Sequence, residues 1–358
     1  MQLKLQYTAA PAAFARSALR LAASGLHQRP LVFERDRTVL LFFEDCERDR
    51  LFSGDRHLQR FIKRAYRSVR GGRSTNGFAM AFRELKRGLE LEGCRVVVND
   101  FPLARENPSY PIGIAGYPHV LRDWQLPNPA VLGPGFFDHP GEAPELMRDP
   151  RFKRYLVHSE WMRTLFGSRY GPRCVTWYAG IDTDQWPDFS GAAKDVDVLV
   201  YEKFIWHRQR KRKLMLEPLL DVLRRRRLRF HVIAYGSYGL GEYRALLERS
   251  RAMLFLVEHE TQGLACGEAM SCNVPVLAWD QGRWLDPKRL RYGTPDVEAS
   301  SVPYFSAECG ERFSSLENFE PALERLWARL PGYRPRDYVI QHLSLRGSAQ
   351  RYLEHYLG

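Results

Sequence analysis

Residues 253–279, Met-Leu-Phe-Leu-Val-Glu-His-Glu-Thr-Gln-Gly-Leu-Ala-Cys-Gly-Glu-Ala-Met-Ser-Cys-Asn-Val-Pro-Val-Leu-Ala-Trp, constrain the fold more than any other stretch of the chain. Met253 to Val257 is an unbroken apolar run of strand length. Glu258-His259-Glu260 makes a polar turn, and the segment after Gly263 is rich in Ala, Leu, Glu and Met, which favour helix. Asn273 and Pro275 stop that helix near Cys272, and Val274 to Trp279 reads as a second buried strand. Strand, loop, helix, strand is a βαβ unit of a parallel sheet covered on both faces. Ligands of such sheets gather outside the carboxyl ends of the strands, where helix N-termini aim unpaired N–H groups at anions. Glu260 therefore falls on a ligand-facing loop, and Glu268 on the helix behind it.

The same organisation recurs along the chain. Thr38 to Phe43 reads as a strand, and Arg70-Gly-Gly-Arg-Ser-Thr-Asn-Gly77 runs into a helix with Phe78, Phe82, Leu85 and Leu89 on one face. Gly93 ends that helix and a strand starts at Arg95. Gly71 and Gly72 permit a backbone that brings N–H groups close to a ligand, and Asn76 either caps the helix or meets the ligand. Pro111 to Ala115 and Ala130 to Phe136 are short strands, the second leading into Phe137-Asp138-His139-Pro140. Val196 to Tyr201 and Phe230 to Tyr235 are further strands, with helices expected over 214–223, 243–249, 316–328 and 347–357. Pro, Ser, Gly and Ala cluster between Pro187 and Lys194, which places a boundary between two domains there.

At 358 residues the chain accommodates two ordinary cores. No apolar run approaches the roughly 20 residues that span a bilayer, and Met1 to Arg20 lacks the apolar core of a secretory signal. The six cysteines are scattered without the short paired spacings of zinc or dithiol sites, which points to a reducing, cytoplasmic compartment. A net charge of +12 and a pI near 9.5 call for an anionic partner. Nucleic acid is the disfavoured one, because neither an aromatic binding platform nor a helix-turn-helix accompanies the charge. Phe14 to Leu26 reads as a packed terminal helix or, alternatively, one lying on an acidic membrane surface.

Glu260 and Glu268, with seven residues between them, the second inside the run Gly-Glu-Ala-Met-Ser-Cys-Asn-Val-Pro-Val-Leu-Ala, resemble the E-x7-E motif of the GT-B glycosyltransferases, especially the retaining family numbered four. Gly180-Ile-Asp-Thr-Asp-Gln-Trp186 is similar to a signature at the end of that family's first domain. The resemblance implies an α/β chain of GT-B type, two Rossmann-like domains whose parallel sheets face a central cleft. The expected layout is an extension over 1–37, an acceptor-side domain over 38–190, a nucleotide-sugar domain over 191–340, and a helix over 341–358 packing back on the first domain. It further implies sugar transfer from a nucleotide-sugar donor to a glycan, lipid or small-molecule acceptor, with retention, without metal and with no cofactor beyond the donor. Glu260 and His139 are the expected catalytic residues, with His119 competing for the place of His139. Donor binding falls to Lys203, Arg208 or Arg210, Gln262, Gly263, Leu264 and Glu268, and Gly71, Gly72 and Asn76 form the acceptor-side loop. The family carries arginine where this chain has Lys203, a point charge without a planar fork. That departure motivates an alternative, a non-catalytic nucleotide-sugar-binding or scaffolding protein of the same fold. The expected location is cytoplasmic, with peripheral contact to an acidic inner membrane surface.

Overall fold

The computed structural model describes residues 30–44, 77–121, 124–294 and 296–358. The glycine-rich loop with Gly71, Gly72 and Asn76 and the helix expected over Phe14 to Leu26 lie outside the described residues. Two parallel sheets organise the rest. The first contains β1 (Thr38–Glu44), β2 (Arg95–Val98), β3 (Ile112–Gly116), β4 (Ala130–Gly135), β5 (Phe152–Val157) and β6 (Cys174–Thr176), in the order β2-β1-β3-β4-β5-β6. The second contains β7 (Val196–Lys203), β8 (Phe230–Ala234), β9 (Ser250–Val257), β10 (Val276–Trp279) and β11 (Gly310–Phe313), in the order β11-β10-β9-β7-β8.

Period-two alternation divides each sheet between two cores. In β1, Leu40 and Phe42 join one cluster with Ile112, Ile114 and Phe166. Val39 and Leu41 point the other way, onto Ala81, Leu85 and Leu89 of α1 (Gly77–Leu91). In the second sheet Met253, Phe255 and Val257 face Cys266, Ala269 and Met270, whereas Leu254 and Leu256 face Leu219, Leu220 and Leu223. Helices therefore cover both faces, and for that reason the strands read as continuous apolar runs.

The helix expected after Gly263 spans Leu264–Ser271, and the last one spans Leu345–Leu357. The helix Pro335–His342 was not expected from the sequence; it packs against Leu264–Ser271. The chain crosses back to the first sheet at Leu343 and Ser344, where Ile181 N–H donates to Leu343 O at 2.8 Å. Helix Leu345–Leu357 then lies along α1, close enough that a β-carbon on Gly88 would sit 2.7 Å from Leu345 O. Tyr356 fixes its far end: its hydroxyl accepts from Leu40 N–H at 2.9 Å and donates to Pro111 O at 2.5 Å.

Residues 281–299 form an excursion from β10 that reaches the first unit. Trp284 N–H donates to Val297 O, and Trp284 and Ala299 are buried in the core that Leu40, Phe42 and Phe136 build. Lys288 pairs with Asp138 and Glu142. Among the described residues no helix is long and apolar enough to cross a membrane.

Candidate active site

Strand order locates the site before any side chain is considered. After β7 the chain moves outward to β8, and after β9 it moves the opposite way, to β10, so the neighbours β7 and β9 flank a topological switch point. Open parallel sheets bind ligands in the crevice at the carboxyl ends of such a pair. Lys203, in register with Val257, ends β7, and Glu258-His259-Glu260 follows β9. Lys203 Nζ lies 2.6 Å from Glu260 Oε1 and 4.7 Å from the centre of the Tyr235 ring.

The loop around this pair is tied down on every side. Glu258 is buried and accepts from the Ile205 and Trp206 N–H groups at 3.0 to 3.3 Å and from Lys211 Nζ at 2.6 Å. Glu260 N–H donates to Ser300 O at 3.0 Å, and Glu260 O accepts from Trp161 Nε1 at 2.9 Å. Gln262 locks the two units together: Ala179 N–H donates to its Oε1 and its Nε2 donates to Ala179 O, both at 2.6 Å. Gly263 then takes φ 85°, a left-handed backbone that favours glycine, and Leu264 opens the helix. That helix leaves its first N–H groups free at the carboxyl end of the sheet, a ready place for an anion.

Glu268 sits one helical turn further, only 6% exposed. Burial pushes its carboxyl up to about 8, and the charge of Glu84 on α1 adds to the rise. Glu84 is itself buried with Oε2 unpartnered, and burial raises it too. Two acids, one from each unit, are thus both buried, and Arg83 Nε lies 3.4 Å from Oε1 of Glu84.

The cationic run after β7 divides by partner. Arg208 forks onto Glu202 with two bonds of 2.9 Å, Arg212 reaches the same carboxylate at 2.5 Å, and Arg210 is exposed on the same turn. Arg208 is thus held within its own unit, while Lys203 is the cation brought to Glu260.

His139 is held by residues of the 281–299 excursion. Its Nδ1 accepts from Gly141 N–H at 2.9 Å and its Nε2 is 2.7 Å from Thr294 Oγ1. Its ring stacks on Tyr292 at 4.4 Å and on Trp284 at 5.9 Å. Trp284 stands between it and His259, the neighbour of Glu260. His158, directly after β5, is buried beside Trp177 with its pKa lowered to about 4 by burial. His119, its rival, lies in the turn after β3.

Sequence reasoning missed Trp161, Ser300, Glu84 and Trp284. Each meets the site from a distant part of the sequence, so no local signal singles it out.

No protein-family model matches the chain, and no curated protein matches it in sequence. Solved structures do resemble it. AviGT4, a glycosyltransferase involved in avilamycin A biosynthesis, matches with a TM-score of 0.53 at 13% identity, over 89% of this chain and 96% of its own. TarM matches with a TM-score of 0.50 at 13% identity, over 69% of this chain and 54% of its own. A point mutant of S. aureus TarM, in complex with fondaparinux, alpha-GlcNAc-glycerol and UDP, gives 0.51 at 13% identity over 70% and 56%, so this chain spans about half the length of TarM. Two parallel-sheet α/β units arranged as in these structures are the GT-B fold, and that is the fold of this chain.

Proposed function

We propose that the chain is a glycosyltransferase moving a sugar from a nucleotide-sugar donor to a glycan, lipid or small-molecule acceptor. The observation that carries this reading is the Lys203–Glu260 pair at the switch point of the second sheet, directly before a helix N-terminus. A departing nucleoside diphosphate accumulates negative charge. In this reading Lys203 and the N–H groups after Gly263 stabilise it, with Arg210 on the rim, and no metal is needed in that design. Glu260 accepts hydrogen bonds from hydroxyls of the transferred sugar, and Glu268 holds hydroxyls of the ribose. With the leaving group and the attacking hydroxyl on one face of the sugar, configuration is retained. Ile205 and Leu214, 52% and 54% exposed near Arg210 and Lys213, support peripheral contact with an acidic membrane surface bearing a lipid-linked acceptor.

The test is a thermal-shift panel of UDP-, GDP-, ADP- and dTDP-sugars on the wild type and on the Lys203→Met/Glu260→Gln double variant, which removes the pair without stranding either charge. A ligand at a hundred times its dissociation constant stabilises by about 2.7 kcal/mol. One donor raising Tm in the wild type alone, and releasing its nucleoside diphosphate on turnover, is the expected result. A donor that stabilises without turnover selects the scaffolding alternative, and silence from every donor overturns the proposal.

A further inference from the structure

The loop after β9 is not held by its own unit alone. Glu260 has three anchors: its carboxylate on Lys203 of β7, its N–H on Ser300 after the 281–299 excursion, and its C=O on the indole N–H of Trp161. Trp161 belongs to the first unit. It is the second residue of the helix Glu160–Tyr170, packed on the core that contains Phe166 and Trp284. Its ring meets His259 edge-on at 5.8 Å and Trp284 at 6.3 Å, so its plane is fixed from two sides. An indole N–H is a donor only, and here its acceptor is the backbone of the residue whose side chain faces the crevice.

We infer that Trp161 is a positioning residue for Glu260: it ties the loop that carries the carboxylate to the first unit. The inference rests on the transferase reading above. When the units stand as described, the Trp161 bond fixes the Glu260 carbonyl, and the Ser300 bond fixes its N–H. The side chain then leaves a backbone pinned at both ends. When the units separate, the first of these anchors is lost, and Glu260 is no longer held for the sugar. The Gln262 clasp on Ala179 opens in the same movement, since it also joins the two units. Turnover is thereby tied to the contact between the units, without Trp161 itself touching the donor.

Trp161→Phe keeps an aromatic ring and deletes the N–H. Loss of one hydrogen bond that acts on the transition state is worth about a tenfold change in rate. The expected result is a kcat lower by about tenfold, a donor KM within about twofold of wild type, and a Tm lower by no more than about 4 °C. Amide exchange in the peptide spanning residues 258–263 should rise, while exchange in β9 itself stays as in the wild type. Unchanged kcat with unchanged exchange overturns the inference. So does a parallel loss of kcat, donor affinity and Tm, which marks a purely structural tryptophan. If the wild type neither transfers nor hydrolyses any nucleotide sugar, the transferase reading falls. The exchange measurement then decides separately whether Trp161 orders the loop.

Discussion

Replacing Glu268 with glutamine keeps the shape of the side chain and removes its titration. Because burial and the neighbouring Glu84 lift the Glu268 carboxyl from 4.5 to about 8, the folded chain holds this proton where the unfolded chain has lost it. Stability at this site therefore falls as pH rises from 4.5 to about 8 and is level beyond. One proton of difference amounts to about 1.4 kcal/mol per pH unit. Between pH 5.5 and 7.5 the advantage of Glu268→Gln over wild type should grow by about 2 to 3 kcal/mol, a little below the ceiling because the titration flattens toward its upper end. Urea unfolding of both proteins at pH 5.5, 6.5 and 7.5 measures it. Glu84→Gln supplies the control: with the neighbouring charge gone, Glu268 ionises at lower pH and the divergence ends earlier. Wild type and Glu268→Gln with parallel stability profiles across these pH values would refute the raised carboxyl of Glu268.

Tyr356→Phe removes the hydroxyl that bridges Leu40 N–H and Pro111 O, and should destabilise by about 1 to 3 kcal/mol in urea titration. Gly88→Ala gains about 1 kcal/mol of helix propensity but drives a methyl to 2.7 Å from Leu345 O, a backbone atom that cannot swing aside. Overpacking of that kind costs about 1 to 3 kcal/mol, so Tm should drop, and proteolysis near Leu343 should quicken. Ile205→Ser combined with Leu214→Ser should abolish co-sedimentation with phosphatidylglycerol vesicles, while phosphatidylcholine vesicles capture neither protein; equal capture of both proteins by the acidic vesicles refutes the membrane contact.

Local pattern carried the second sheet's centre. The strand before Glu258, the helix after Gly263 and the stop at Asn273 follow from apolar run length, propensity and punctuation, and the structure places them within three residues of that reading. Pro335–His342 escaped because its only start signal, Pro335, also opens loops, and its apolar residues Tyr338, Val339 and Ile340 are too few to show a period. The partnerships at the site were invisible for a different reason. Gln262 and Ala179 are 83 residues apart, and Trp161 and Glu260 are 99 apart, so neither residue's neighbours announce the bond. His139 shows the converse: a loop histidine beside proline looked available, whereas Thr294, Tyr292 and Trp284, all from the distant excursion, occupy it.

The return of the chain at Leu343 has a consequence for how the protein is made. Ala349, Tyr352 and Tyr356 lie in the same core as Val39, Leu41 and Leu85, so the first sheet is covered on that face by residues translated some three hundred positions after its first strand. On the ribosome the second sheet has all its strands before the first sheet has its last helix. Until that helix is made, Gly88 and Gly113 lack the Leu345 and Tyr352 atoms that pack on them, so this face of the earlier unit is completed only by the end of the chain described here.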